Sequence, residues 1–177
     1  MIKEGYTRVS EIVGWFKAIT LGSIDPGVLK RKALLGTEVH EAIAGFYEGV
    51  FVPLDQKAAP YYESFKRWSS CQEMKILKQE ERYYNDSLLI TGAVDMISDY
   101  HGIKHLIDFK TSATADKKAW RIQGALYTFL YGDKIDNIRF VKLDKNGKDP
   151  DIFDFVPDKQ AEEDAMICLK AYRIWHH

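Results

Sequence analysis

Residues 92–127, GAVDMISDYHGIKHLIDFKTSATADKKAWRIQGALY, decide the fold. The first two parts read as paired strands and the last as a helix. His101-Gly102 sits between two runs rich in Ile, Val, Leu and Phe, and a two-residue loop with Gly second is a common hairpin connection. In that register Tyr100 faces Ile103, Asp99 faces Lys104, and Asp95 lies opposite Asp108. Side chains alternate along a strand, so Asp108 and Lys110 share one face while Ile107 and Phe109 take the other. Cross-strand partners share a face as well. The hairpin therefore gathers Asp95, Asp108 and Lys110 on one patch.

Two like charges that face each other are unfavourable unless something neutralises them. A lysine two residues along relieves one carboxylate, and a divalent cation would satisfy both. Hard cations such as Mg²⁺ take carboxylate oxygens, waters and usually a substrate phosphate. Such an ion makes hydroxide from bound water and stabilises charge on a phosphate. A lysine at the same place stabilises the attacking water or the developing charge. The trio suits a phosphodiesterase centre. A solvated hairpin face is the other reading of D-x-K alone, since charges mostly sit outside.

A chain of 177 residues is expected to form one domain, with a helical part over 1–75 and a sheet core with helices over 76–177. Hydrophobic content of 46% and charged content of 29% are ordinary for a soluble globular protein. No apolar run approaches a membrane span and the N-terminus lacks a signal-peptide layout, so a cytoplasmic protein is expected. There Cys71 and Cys168 are expected as two free, buried thiols. Two cysteines cannot supply a four-thiolate iron–sulfur cluster, and none is expected. A net charge of −1 gives no global basic field, so contacts to nucleic acid must come from local patches.

Upstream, Val9, Ile12, Val13 and Phe16 form a helical stripe, with Thr7 or Ser10 as its cap. Gly22, Pro26 and Gly27 mark a loop over 20–27. A helix then runs from about Pro26 to about Gly49, with Gly36 and His40 one turn apart on the same side. A small residue there permits close approach by a strand or a substrate backbone. On its own, His40 fits a structural role or a ligand. A second helix, about 60–75, carries Tyr61, Tyr62, Phe65 and Trp68, which suit a core. Residues 76–85 read as a strand, and either Glu80 or Glu81 on it could face the carboxylate patch. After Lys110, the residues Thr111, Ser112, Lys117, Lys118 and Arg121 form either a phosphate track or an ordinary loop. The helix over 118–131 puts Trp120, Gln123 and Tyr127 on one side, where a buried Gln needs a partner. Strands at 137–143 and 152–156 and a final helix to about Trp175 complete an α/β fold, a mixed central β-sheet flanked by helices with an N-terminal helical segment.

Four segments in order, Gly36-Thr-Glu-Val-His40, Gly92-Ala-Val-Asp95, Ile107-Asp108-Phe-Lys110-Thr-Ser and Gln123-Gly-Ala-Leu-Tyr127, resemble the PD-(D/E)XK nuclease superfamily in its RecB-like branch. The opening Tyr-Thr-Arg-Val-Ser-Glu-Ile also looks like the start of small phage exonucleases of that branch. The resemblance implies a restriction-endonuclease-like core and a Mg²⁺- or Mn²⁺-dependent deoxyribonuclease, an exonuclease acting on DNA ends or single strands in phage or bacterial recombination, repair or processing. It implies His40, Asp95, Asp108 and the Phe109 backbone carbonyl as metal ligands and Lys110 as the catalytic lysine. It implies that Gln123 and Tyr127 shape the site and touch DNA or the lysine. Lys117 and Arg121 are the cations expected near the DNA. The proline usual before the first aspartate is replaced by Val94, and no helicase motor is present. The near-neutral charge implies modest affinity for DNA alone, which a homo-oligomer or a recombination partner protein would help. A structure-specific endonuclease of the same fold and a catalytically silent DNA-binding subunit are the alternatives.

Overall fold

The computed structural model describes residues 3–22 and 25–176, so the part of the 20–27 loop at 23 and 24 lies outside them. The elements in chain order are β1 (Thr7–Arg8), α1 (Val9–Leu21), α2 (Pro26–Glu48), α3 (Ala59–Ser70), β2 (Lys75–Asn85), β3 (Ile90–Tyr100), β4 (Ile103–Lys110), α4 (Lys117–Tyr131), β5 (Asn137–Lys142), β6 (Asp151–Phe155) and α5 (Lys159–His176). Local chemistry explains most boundaries. Asp25 caps α2 by accepting from Val28 N at 2.9 Å, and Pro26 fills the first turn, where no N–H is missed. Asp116 caps α4 in the same way, and Gly49 and Gly132 end α2 and α4 in the left-handed conformation.

The hairpin at the centre has the predicted register from the turn as far as Met96 and Ile107, but Asp95 leaves the ladder and is not paired with Asp108 as expected. Tyr100 pairs with Ile103 and Asp99 with Lys104, and the ladder continues to Met96 and Ile107. His101 and Gly102 have φ of 52° and 84°, the two left-handed residues of a type I′ turn. From β4 the chain crosses through α4 and returns as β5, parallel to β4. β2 pairs antiparallel to β3, and β6 antiparallel to β5, so the six-stranded sheet is mixed. This is the restriction-endonuclease-like α/β architecture expected.

Helices cover both faces. Ile97, Leu106 and Phe140 pack against Trp120, Leu126 and Leu169 on the side of α1, α4 and α5. Met96, Ile107, Phe109 and Val141 pack against Val39, Ile43, Phe65 and Trp68 on the side of α2 and α3. Alternation therefore sends each strand's odd and even residues into two different cores.

Three expectations need correction. The N-terminal part is not purely helical, because Thr7–Arg8 joins the sheet beside Ile90–Thr91. The second helix stops at Ser70 rather than near 75, and Lys75 already begins β2, since Ile76 and Leu77 fit a half-buried strand. Both thiols are free, but Cys71, just past the end of α3, is exposed.

One irregularity positions everything else. On one edge β3 pairs with β2. On the other it pairs with β4 over 96–100 and with β1 at 90–91, leaving 92–95 unpaired. Alternation also slips there. Gly92 and Val94 face the α4 side, yet Met96 faces the α2–α3 side. Across the slip, Glu80 of β2 has φ of 47°. β2 and β3 nevertheless stay in register through this stretch, with Gln79 opposite Met96 and Glu81 opposite Val94, so the two strands turn over together; the ladder shift lies further along, between Ile76 and Lys78.

Close approach of α4 to the sheet rests on small residues. A Cβ on Gly124 would lie 2.9 Å from Ile138 Cγ2, whereas a Cβ on Gly36 would meet only Thr111 Oγ1, at 3.6 Å. Ile138 is stiff at its branch, so Gly124→Ala should destabilise by about 1–3 kcal/mol. Gly36→Ala should instead stabilise by about 0.5–1 kcal/mol through the helix backbone. Urea midpoints of the two purified variants moving in the same direction would contradict this packing.

Candidate active site

The site lies where β3 parts from β4. Asp95 Oδ2 accepts a hydrogen bond from Phe109 N at 2.7 Å, so the carboxylate takes the place of a strand partner. The N–H and carbonyl of a residue lie on the same edge of a strand, so the Phe109 carbonyl faces the same gap. The Phe109 ring is fixed on the far face, edge-on to Phe65 at 5.4 Å and to Trp68 at 5.3 Å. That anchor holds β4 while Asp108 and Lys110 project to the α4 side.

From α2, His40 Nδ1 comes within 3.2 Å of Asp95 Oδ1 and 3.8 Å of Glu80 Oε1. One donor atom from each of His40, Glu80 and Asp95 lies within 4.8 Å of the others. Asp108 stands beside this group rather than inside it. Its Oδ2 is ion-paired with Lys110 Nζ at 2.5 Å, and its Oδ1 accepts from Gln123 Nε2 at 3.1 Å. Gln123 uses both ends of its amide. Oε1 accepts from Lys110 Nζ at 2.8 Å, and Nε2 also donates to Tyr127 Oη at 3.1 Å. The Lys110 ammonium further sits over the Phe140 ring at 5.3 Å. Gln123 is thus the buried glutamine whose partners the sequence left open.

The charges perturb one another. Burial raises Asp108, the neighbouring Asp95 adds to this, Lys110 offsets part of it, and its pKa reaches about 6. Burial also opposes charge on Asp95, but His40, Lys110 and the Phe109 N–H outweigh it and hold that carboxyl below its usual range. For His40, burial is outweighed by Asp95 and Glu80, so the imidazole holds its proton well above the usual value. Burial, then Asp108 and Asp95, push the Tyr127 hydroxyl up. Perturbed groups gathered in a cleft are the mark of a functional site.

The cleft has a volume of about 740 Å³. Arg8 and Ser10 at the start of α1, Gly36, Thr37 and His40 of α2, Arg82 of β2 and Gly92 of β3 line it. Gly92 is required, since a Cβ there would lie 2.9 Å from the Tyr127 ring. Lys17 of α1 also feels the site: burial and the charge of Lys110 lower its pKa, while Asp116 and Asp108 oppose.

The structure brings together His40, Asp95, Asp108, Lys110, Gln123 and Tyr127. It does not bring Lys117 and Arg121, whose partners lie elsewhere. Arg121 makes two contacts to Asp158, of 2.6 and 2.7 Å, and Lys117 lies over Phe153 at 5.1 Å. Successive residues of a helix point about 100° apart, so nearness to Lys110 in sequence did not carry these cations to it. Sequence reading left Glu80 undivided from Glu81. The structure separates them: Glu80, with φ of 47°, reaches His40, whereas Glu81 turns to Lys78 and Tyr83. Arg8, Arg82 and Lys17 gave no signal beyond their charge.

No family model matches the chain, and no curated protein does. Solved structures share its fold. SSO0001 superposes with a TM-score of 0.56 at 14% identity, covering 100% of this chain and 79% of that one. A candidate exonuclease from Eubacterium rectale gives 0.55 at 13%, covering 94% and 78%. The alkaline exonuclease LHK-Exo from Laribacter hongkongensis gives 0.54 at 10%, covering 96% and 87%, and a second structure of it holds dAMP.

The residues present fit a divalent cation. Carboxylate oxygens of Glu80 and Asp95 and an imidazole nitrogen of His40, all within 4.8 Å of one another, are donors of the kind divalent cations take. A ligand must be deprotonated, and both His40 and Asp108 are shifted toward the protonated form. Asp108, with its folded pKa raised, favours the folded state below the ordinary carboxylate pKa and loses that contribution as pH rises through about 6. Mn²⁺ affinity should therefore climb as pH rises through about 6, with protons released on binding. Calorimetry in buffers of different ionisation enthalpy reads both; a pH-independent affinity would contradict the assignment.

Proposed function

We propose that the protein is a divalent-metal-dependent deoxyribonuclease, an exonuclease of the RecB-like kind that trims DNA in phage or bacterial recombination, repair or processing. The observation that carries this reading is the meeting of His40, Glu80 and Asp95 on the wall of one cleft, with the Asp108–Lys110 pair behind Asp95, which accepts from Phe109 N between them. His40, Asp95 and Asp108, with Glu80 and the Phe109 carbonyl, are the groups that would hold Mg²⁺ or Mn²⁺. When bound, the cation supplies a water of lowered pKa and neutralises charge on the phosphate.

The chain's own groups do the rest. Lys110 places an ammonium beside the carboxylates, where it orients the attacking water and stabilises the charge that develops on phosphorus-bound oxygen. Water oxygen bonds to phosphorus, the ester P–O bond breaks, and the departing oxygen takes a proton. Gln123 positions Lys110 and Asp108 together through one amide. Tyr127 packs against Gly92 and keeps the wall of the cleft tight. Arg8 and Arg82 are the cations that line the cleft and are suited to phosphate oxygens, in place of Lys117 and Arg121.

Lys110→Ala and Asp108→Ala should each lower cleavage of end-labelled linear DNA by about 10²-fold or more while the far-ultraviolet circular dichroism stays native. Chelator should abolish cleavage by the wild type, and Lys117→Ala should retain it. Covalently closed circular DNA should remain uncut. Full activity in the Lys110 variant would overturn the mechanism, and rapid cutting of the circle would replace the exonuclease with an endonuclease.

A further inference from the structure

A second pocket, of about 230 Å³, opens beyond the end of α3 and shares no lining residue with the cleft. A polar row crosses the sheet here. Ser98 pairs with His105, His105 with Asn137, and Arg139 with Asp154, on four successive strands. The same face is otherwise apolar, with Met96, Ile107, Phe109 and Val141 in its core. Buried polar groups are nearly always hydrogen-bonded, so a row placed among them asks for partners.

The hydrogen bonds fix which atoms remain free. Asp154 accepts from Arg139 Nε and Nη2 at 2.7 and 2.8 Å and from Asn137 Nδ2 at 3.0 Å. A carboxylate only accepts, so this contact sets the orientation of the Asn137 amide. Asn137 Nδ2 is also 3.1 Å from His105 Nδ1, which must then be the acceptor. The proton of the neutral imidazole is left on Nε2. Ser98 is 1% exposed, lines the pocket, and its hydroxyl has no partner among the described residues. His105 is 8% exposed, and Arg139 keeps Nη1 unused among the described residues while Asp154 holds the rest of the guanidinium. The three free positions, on three neighbouring strands, can all donate.

We propose that this pocket binds a small oxyanion, the phosphate group of free phosphate or of a mononucleotide, through Ser98, His105 and Arg139. Donors spread over three strands suit an ion whose oxygens point in several directions, and hydrogen bonds to a charged acceptor are the strong kind. The volume lies below the range of about 300–1,000 Å³ that holds a drug-sized molecule, so it admits the ionic group and leaves any sugar and base outside, toward Tyr100 at its rim.

The test uses the whole protein in chelator, at constant ionic strength, with inorganic phosphate in one arm and dTMP in the other. Imidazole signals are followed by NMR and the melting temperature is measured in parallel. A saturable shift of the His105 signal with a higher melting temperature is expected with phosphate. A matching response to dTMP assigns the nucleotide-borne group as well, and a response to phosphate alone assigns the free ion. Ser98→Ala, which removes an unpartnered buried hydroxyl, should melt no lower than wild type without ligand yet bind about tenfold more weakly. A His105 signal that neither compound moves, a shift confined to His40, or undiminished binding by the Ser98 variant would overturn the site.

Discussion

The bond from Phe109 N to the Asp95 carboxylate is the contact on which the rest of the structure depends. A backbone N–H inside a sheet must find an acceptor, and at Phe109 a side chain supplies it. β3 is thereby released from β4 over 92–95 without leaving that donor stranded. An unbroken sheet would be a wall between α2 on one face and α4 on the other. The gap lets His40 from the first and Gln123 from the second address the same space, with Asp95 between them.

The gap also concentrates charge where water is scarce. Asp95 and Asp108 are both buried; His40, Lys110 and the Phe109 N–H more than offset burial at Asp95, whereas Lys110 offsets only part of it at Asp108. Burial penalises ionised carboxylates steeply, so the arrangement holds one proton more firmly on Asp108 than solvent would. Such a site destabilises the fold it sits in and must be supported from outside. The support is aromatic and apolar: Phe65, Trp68 and Phe109 on one face, and Trp120 stacked on Phe140 at 5.4 Å on the other. Rigid packing on both faces keeps the acidic side chains from swinging apart. The left-handed backbone at Glu80 is a local strain at the same place, borne by the strands around it.

The polar row from Ser98 to Asp154 follows the same rule at the far end of the sheet. In both places a strand face that should be apolar carries groups able to bind an ion. In both places register, rather than sequence proximity, assembles them. The difference is charge. Carboxylates dominate the cleft beside Lys110, while free donors dominate the smaller pocket.

Local chemistry made much of this legible. His101-Gly102 fixed the turn, the turn fixed the register as far as Met96 and Ile107, and alternation put Asp108 and Lys110 on one face; Asp95 reaches them through its bond to Phe109 N, not as the strand partner of Asp108. Helical spacing did the same for Gln123 and Tyr127, and Asp25-Pro26 marked the start of α2. Each depends on residues only a few positions apart, whose geometry the backbone itself imposes. Tertiary structure alone decided the rest. Glu80 was chosen over Glu81 by the left-handed turn of its backbone opposite the unpaired stretch of β3, and Thr7–Arg8 became a strand only because Ile90–Thr91 offered an open edge. Lys117 and Arg121 were turned away toward Phe153 and Asp158 by the rotation of α4 against β6 and α5. Periodicity tells which residues share a face, but which element covers that face is set by contacts between distant segments, and those the linear pattern does not encode.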